Sequence, residues 1–280
     1  MLNYPEIDPV ALALGPIKIH WYGVTYLFAF ASAWWLGRKR AQNDSAIIKP
    51  QQVDDLIFYG ALGVVLGGRI GSVLFYNFET FLSDPLYLLR IWQGGMSFHG
   101  GFIGVLVAME WYRRRLGCSF IELTDFIAPI VPLGLAAGRL GNFINAELWG
   151  APSNVPWAMK LSCDRFPPEY FQDFAGPLCY SPRHPSQLYE MLLEGLVLFL
   201  LLWVVSSKPQ PRMLISGLFL VGYGMARSLV ELIRLPDAHI GYLFGSDWMT
   251  RGILLSLPMI GLGLVLIMLA RRVRGHAAVS

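Results

Sequence analysis

Blocks of apolar residues close to 20 long recur through the chain, and their length limits strongly what it can fold into. A helix needs about 20 residues to cross the hydrocarbon core of a membrane. Only 15% of the 280 residues are charged, whereas a soluble domain normally carries about a quarter. We therefore predict an all-α, polytopic protein that resides in a lipid bilayer and forms one integral membrane domain over residues 1–280.

The positions of the apolar blocks predict a bundle of about seven transmembrane helices. The proposed spans are 17–37, 54–77, 95–112, 121–142, 187–205, 213–232 and 250–270. Basic residues cluster after alternate spans, at 38–40, 113–115, 208–212 and 271–274, and with Lys49 this side holds 12 of the 22 Lys and Arg residues. Because such clusters favour the cytoplasm, we expect an outside N-terminus and a cytosolic C-terminus.

The longest segment between spans, residues 147–185, is rich in proline and aromatic residues. The predicted topology places it outside the cytosol, between spans four and five, and it is long enough for a small folded cap. A disulfide between its Cys163 and Cys179 and two unpaired thiols are both compatible with the sequence. The cysteines lack metal-ligand spacing, and no nucleic-acid-binding signature is present, so we predict neither a metal site nor a nucleic-acid partner.

Three other features predict structure rather than chemistry. Residues 1–16, with three prolines, are typical of a short segment at a membrane surface. Glycines at 63–71 and 100–104 are expected to let two helices pack closely. Arg69, within the second span, is expected to bond from one helix to another.

Polar residues crowd the end of the fourth apolar block. Arg139, Asn142, Asn145 and Glu147 fall within nine residues and are followed by Gly150. Arg139 and Asn142 are three apart, so they share a face if the helix continues. Since ionisable groups at membrane depth are costly and usually face an interior cavity, we expect the chemistry of the protein here.

A second polar face is predicted in the sixth span. Arg227, Glu231 and Arg234 are spaced four and three apart, which aligns them along one side of a helix. Arg227 and Glu231 could simply neutralise one another. Alternatively, Arg227 and Arg139 lie at the same level and hold an anion between helices, for which phosphate is the usual partner of a guanidinium.

His99 and Tyr22 lie near the same predicted level. His99, followed by two glycines, could exchange a proton near neutral pH or could be hydrogen-bonded between helices. Tyr22, in the motif 20–23, could offer its hydroxyl to a polar head group. With the polar run 183–190 that opens the fifth span, these residues predict a site for an anionic amphiphile.

Residues 138–150 (Gly-Arg-Leu-Gly-Asn-Phe-Ile-Asn-Ala-Glu-Leu-Trp-Gly) resemble the signature of the bacterial prolipoprotein diacylglyceryl transferases. Further motifs are similar to those of the family, at 20–23, 99–101, 183–190 and 222–231. The likeness runs from about residue 5 to 272 and is weakest at 151–181. The chain departs from the family at Phe102, where leucine is common, and at Thr250-Arg251-Gly252-Ile253, where Gly-Gln usually follows a small residue.

The resemblance implies a lipid transfer in the bacterial plasma membrane. The family moves the diacylglyceryl group of phosphatidylglycerol to the thiol of a cysteine in a prolipoprotein signal peptide, forming a thioether and releasing glycerol phosphate without a cofactor. The implied catalytic residues are His99, as the base, Tyr22, Arg139 and Arg227. Arg139 is also implied in head-group binding, and the other implied substrate-binding residues are Asn142, Asn145, Glu147, Gly150 and Glu231.

Two other classes of protein share part of this pattern. A transporter or flippase for an anionic lipid would also need arginines in the membrane, but would more often show inverted repeats and broken helices, which the sequence does not reveal. A non-catalytic lipid-binding scaffold would not need a histidine and a tyrosine beside the arginines. The sequence therefore favours the transferase.

Overall fold

The computed structural model describes residues 1–15, 17–43, 46–164, 179–236 and 241–277. The chain is mostly helical and divides into two compact units. The first unit comprises Met1–Ala33 and Ala128–Ser280, and the second comprises Trp34–Ile127. That these units act as one integral membrane domain stays a prediction.

The helices follow the apolar blocks. Their bounds are α1 Trp21–Ala41, α2 Pro50–Tyr76, α3 Phe78–Ser83, α4 Phe98–Leu116, α5 Phe120–Ile127, α6 Val131–Ile144, α7 Ser186–Glu190, α8 Leu198–Val205, α9 Leu214–Glu231 and α10 Arg251–Ala277. A π-helical stretch, Met191–Val197, joins α7 to α8, so that Ser186–Val205 is one continuous helix. Short 3₁₀ helices at Pro85–Leu89 and Ile91–Gln93 precede α4.

A helix lies at each of the seven predicted positions, but fewer are long and apolar enough to cross a membrane. Within the described residues these are Pro50–Tyr76, Ser186–Val205, Leu214–Glu231 and Arg251–Arg272. A fifth is added if α5 and α6 form one broken span. The structure therefore supports a polytopic helical membrane protein with four or five candidate spans, and the count of seven stays a prediction.

The predicted span 121–142 is not one helix, which corrects the sequence interpretation that found no broken helix. α5 ends at Ile127 and α6 begins at Val131. Pro129 lies between them and Pro132 lies in the first turn of α6. A proline interrupts a helix interior because it lacks an N–H group, yet it fits a first turn well.

The structure is not wholly α-helical, because short strands form near the N-terminus. Strand β1, Leu2–Asn3, pairs in parallel with β4, Met159–Lys160. Strand β2, Val10–Leu14, pairs antiparallel with β3, Ile17–His20, and Gly15 turns the chain with a φ of 61°. The helix at the first predicted span therefore begins at Trp21 rather than at residue 17, and residues 2–3 are anchored to the long segment after α6.

The long segment 147–185 is described at residues 147–164 and 179–185. Cys163 and Cys179 form a disulfide, with Cα atoms 5.1 Å apart. The backbone of Arg183 pairs with those of Met159 and Pro152. The middle of the predicted cap, residues 165–178 with Arg165, lies outside the described residues. Of the two alternatives for the cysteines, the structure shows the disulfide.

The predicted glycine packing is confirmed in the second unit, where α2 crosses α4. A Cβ atom on Gly71 would lie 2.7 Å from the Cα atom of Gly100. A Cβ atom on Gly67 would lie 2.8 Å from the Cα atom of Gly104. Since real Cβ atoms essentially never approach so closely, larger side chains would force the two helices apart.

Arg69 bonds from α2 to the segment before α4, including the 3₁₀ helix Pro85–Leu89, rather than to another long helix. Its side chain is buried and donates to the backbone carbonyls of Tyr87, Leu88 and Gly94, with Nε 3.1 Å from the Leu88 oxygen. The guanidinium therefore holds the segment before α4 against α2.

Candidate active site

Six ionisable side chains form a cluster, hereafter the ion cluster, in the first unit. They are Arg139, Glu190, Glu194, Arg227, Glu231 and Arg234. They come from the last turns of α6 and α9, the start of the Ser186–Val205 helix and the residues just after α9. The cluster thus lies where α6 and α9 end and the Ser186–Val205 helix begins.

Glu190 joins all three arginines. Its side chain is 0% exposed and its carboxylate lies 3.2 Å from Arg139 Nε and 3.3 Å from Arg234 Nη1, and it also contacts Arg227. One turn further along the helix, the equally buried Glu194 lies 3.3 Å from Arg139 Nη2 and 3.8 Å from Arg227 Nη1. The two arginines paired by the sequence analysis are therefore brought together, through two shared carboxylates.

Glu231 forms an ion pair with Arg227 across one helical turn, one of the two alternatives that the sequence left open. It also accepts a 2.6 Å hydrogen bond from the Thr250 hydroxyl. Gly252 leaves room for this carboxylate, because a Cβ atom there would lie 2.5 Å from the carboxyl carbon. Glu231 thus neutralises the charge of Arg227, but Arg227 also contacts Glu190 and Glu194.

The exposed part of the ion cluster is positive. Three guanidinium groups face three carboxylates, which avoids the cost of an unpaired buried charge. Glu190 and Glu194 are fully buried, whereas the side chains of Arg139 and Arg227 remain 18% and 16% exposed. Each guanidinium has five N–H donors, so both arginines can bind an incoming anion while keeping their carboxylate partners.

The loop that follows α6, residues 145–150 (hereafter the signature loop), contains two residues with positive φ angles. Ala146 and Leu148 adopt φ values of 57° and 61°, in the left-handed region, where each residue costs about 1–3 kcal/mol. The Tyr4 hydroxyl lies 2.8 Å from the carbonyl oxygens of both Phe143 and Ile144 and satisfies the end of α6. The N-terminal segment therefore helps to shape the loop.

The start of α7 holds the same loop from another side. Ser186 donates a 2.6 Å hydrogen bond to the Leu148 carbonyl, and the Gln187 amide donates to the Glu147 carbonyl. Gly150 donates its N–H to the His184 carbonyl at 2.9 Å, and a Cβ atom on Gly150 would lie 2.8 Å from His184 Cβ. Gly150 is thus required for close backbone approach, and its role in substrate binding stays a prediction.

A second polar group surrounds Glu147. The amides of Asn142 and Asn145 lie 3.2 and 3.3 Å from its carboxylate oxygens. Tyr22 packs on α6, because a Cβ atom on Gly141 would lie 2.9 Å from its ring. Asn142 and Glu147 also act electrostatically on the Tyr22 hydroxyl. The structure thus brings four predicted site residues together, beside the α6 turn that carries Arg139.

His99 belongs to the second unit and is the second residue of α4. Its side chain is exposed, and its ring contacts Phe98 edge-on at 5.7 Å. Ser97 caps the helix by accepting a 3.3 Å hydrogen bond from the Gly100 N–H. Among the described residues of its unit no hydrogen bond holds the His99 ring, and the role of His99 stays a prediction.

The polar run that ends at Glu190 was predicted to belong to the site. The contacts that Ser186 and Gln187 make with the loop, and that Glu194 makes with Arg139, were not predicted. All three side chains are fully buried. Together with Glu190, these residues are spaced so that they lie on one face of a helix. A carboxylate within the apolar run 191–205 requires a buried cation as partner, which was the available signal for Glu194.

Glu190→Gln is expected to lower the free energy of unfolding by about 3–5 kcal/mol, because it leaves three arginines with one charged partner fewer. Thermal unfolding in detergent measures the effect. The matched control is Glu6→Gln, at an exposed site in the same unit. Equal unfolding temperatures for the two variants would contradict a central role of Glu190. Combining Glu190→Gln with Arg227→Gln should cost less than the sum of the single changes, because the two residues are in contact.

Comparison with known proteins identifies the family of this chain. Residues 9–269 match the family model described as prolipoprotein diacylglyceryl transferase. The phosphatidylglycerol–prolipoprotein diacylglyceryl transferase of Methylococcus capsulatus is 55% identical over 95% of this chain and 97% of its own. The proteins of the same name from Pseudomonas fluorescens and Marinomonas are 53% and 52% identical, over 95% and 96% of this chain and 94% of each relative. The chain therefore belongs to the prolipoprotein diacylglyceryl transferase family.

Proposed function

We propose that this protein transfers the diacylglyceryl group of phosphatidylglycerol to the thiol of the signal-peptide cysteine of a prolipoprotein. The observation that carries the proposal is the ion cluster, with two partly exposed arginines held by fully buried carboxylates. The names of the relatives identify the lipid and the protein acceptor.

The reaction exchanges one bond for another. The thiolate attacks the glycerol carbon that carries the phosphate ester, the C–O bond breaks with its electron pair on the phosphate oxygen, and a C–S bond forms. Arg139 and Arg227 stabilise the charge that develops on the departing glycerol phosphate. Guanidinium forks suit phosphate oxygens because they can donate two parallel hydrogen bonds.

The other polar residues orient the lipid and remove a proton. Tyr22, Asn142, Asn145 and Glu147 form the polar group beside Arg139 and would hold the glycerol head group. His99 takes the thiol proton, on the basis of its motif and its suitability near neutral pH. No cofactor or metal is part of the proposed reaction.

The attacking thiol comes from the substrate. Cys163 and Cys179 are joined in a disulfide. Burial raises the pKa of the Cys118 thiol above its ordinary value, which disfavours the reactive thiolate. The proposed reaction therefore requires no covalent intermediate on a cysteine of the enzyme.

A direct assay tests the function. Purified protein is mixed with phosphatidylglycerol and a signal peptide that contains one cysteine, and the peptide mass is measured. A gain of one diacylglyceryl group is expected, and a serine peptide serves as control. An unchanged cysteine peptide would contradict the proposal. Transport of the lipid between leaflets without thioether formation would favour the flippase.

We also propose seven spans, an outside N-terminus, a cytosolic C-terminus and an active site toward the outer half of the bacterial plasma membrane. The cluster residues lie near the start of α7 and the ends of α6 and α9, whereas the basic residues Arg271 and Arg272 lie near the end of α10. Basic residues favour the cytoplasm, so antiparallel spans would place the ion cluster outside. Segment 147–185 would then be an extracytoplasmic cap.

This topology predicts opposite compartments for two reporter tags. A tag after residue 280 should be cytosolic, and a tag inserted near residue 165 should be outside. Accessibility to an impermeant thiol reagent in intact cells and in opened cells measures both positions. The model of seven spans fails if the two tags report the same compartment.

A further inference from the structure

A cavity of about 60 Å³ lies beside the ion cluster in the first unit. Its lining includes Arg227, Glu231, Arg234, Thr250, Arg251 and Gly252. A single buried water needs roughly 10–15 Å³ on this scale. The cavity therefore has room for a group such as phosphate.

Arginines outnumber carboxylates among the residues that line the cavity. Three arginines and one glutamate contribute a net charge of +2. The glutamate, Glu231, is already engaged by Arg227, Arg234 and the Thr250 hydroxyl. Arg227 and Arg234 also contact Glu190 in the ion cluster. The positive charge in excess at the cavity is therefore that of Arg251.

Arg251 makes this cavity more suitable for an anion than the ion cluster alone. It is exposed and forms no ion pair within the described part of the chain. It also begins α10, a helix of 27 residues, whose N-terminal end carries a partial positive charge. Thr250 fixes this end by accepting the Ile253 N–H on its side-chain oxygen at 3.2 Å.

We propose that this cavity binds the phosphate group of the glycerol phosphate that leaves the reaction, and that Arg251 contacts it. The inference rests on the proposed function. In the lipid the phosphate is a diester with one negative charge. Once the C–O bond breaks, the electron pair stays on the phosphate, and the monoester carries a charge of about −1.5 to −2 at pH 7. Arg251 adds one positive charge to the three arginines and three glutamates of the ion cluster. This excess charge attracts the doubly charged product more strongly than the singly charged phosphate of the lipid.

Arg227 provides the route between the two places. It contacts Glu190 and Glu194 in the ion cluster and also lines the cavity. A phosphate held by Arg227 during bond cleavage can therefore move toward Arg234 and Arg251 without losing its first partner. This removes the product from the ion cluster before the next lipid binds.

The test measures both binding and product inhibition by glycerol phosphate. Arg251→Gln is expected to weaken equilibrium binding of glycerol phosphate to the detergent-solubilised protein about tenfold, the effect of losing one charge-assisted hydrogen bond. Its inhibition constant in the transfer assay should rise by the same factor. The KM for phosphatidylglycerol should change less than about twofold, and Arg251→Lys should be intermediate.

The matched control is Arg271→Gln, which removes the same charge near the other end of α10 and should change none of these values. Unchanged binding in Arg251→Gln would overturn the proposal. A tenfold rise in KM with an unchanged inhibition constant would also overturn it, and would assign the cavity to the lipid phosphate. Absence of thioether formation by the unmodified protein contradicts the proposed function instead, since the binding measurement needs no transfer.

Discussion

Replacing either Arg139 or Arg227 with lysine is expected to slow thioether formation by at least about a hundredfold, the scale of losing one donor to a developing oxyanion. Arg139 contacts Glu190 through Nε and Glu194 through Nη2. Arg227 contacts both carboxylates through Nη1, and each guanidinium still keeps an exposed part for the phosphate. Lysine carries one compact ammonium group and cannot maintain these contacts together. Initial rates with phosphatidylglycerol and a cysteine peptide measure the change.

Arg271→Lys in α10 is the matched control, because it makes the same chemical change outside the ion cluster. Membrane insertion and the unfolding temperature of all three variants should be compared, so that a loss of activity is separated from a loss of protein. Near-normal turnover in both Arg139→Lys and Arg227→Lys would refute direct phosphate recognition. Because both arginines bind the same carboxylates, the double variant should lose less than the product of the two single effects.

Hydropathy and local spacing were enough to place the helices and part of the site. A helix lies at each proposed span, because burial in lipid demands long apolar helices whose backbone is satisfied internally. The spacing of Arg227 and Glu231 indicated an ion pair as one of two alternatives, since contacts across one helical turn are local. The crowding of polar residues after Arg139 likewise indicated the signature loop.

Contacts between distant parts of the chain could not be predicted in the same way. Arg139 and Glu194 are 55 residues apart, and no local period relates them. Tyr4 satisfies the end of α6 from 139 residues away, although residues 1–16 were interpreted only as a surface segment. The break before α6 was missed because a hydropathy window averages over Pro129 and Pro132. These features depend on which helices become neighbours.

His99→Gln is expected to slow the reaction at pH 7 by on the order of 10²–10⁴-fold, the usual contribution of a general base. A free thiol has a pKa of about 8.5, so only a few per cent is thiolate at pH 7, and a base must supply the rest. His99 is exposed at the start of α4 and has glycine next to it, which leaves its ring accessible. The alternative is that His99 only orients the lipid while nearby arginines lower the thiol pKa.

The pH dependence of the loss distinguishes these two roles. If His99 is the base, the ratio of unmodified to His99→Gln rates should fall by about tenfold or more between pH 7 and pH 9, because the thiol then ionises unaided. If His99 only orients the lipid, the ratio should stay constant. Tyr22→Phe is the control for a site residue with no proton to exchange in this range, and its ratio should be flat. An equally flat ratio for His99→Gln would exclude His99 as the base. Higher pH compensates for a missing proton acceptor, but it does not compensate for a lost contact that orients the lipid.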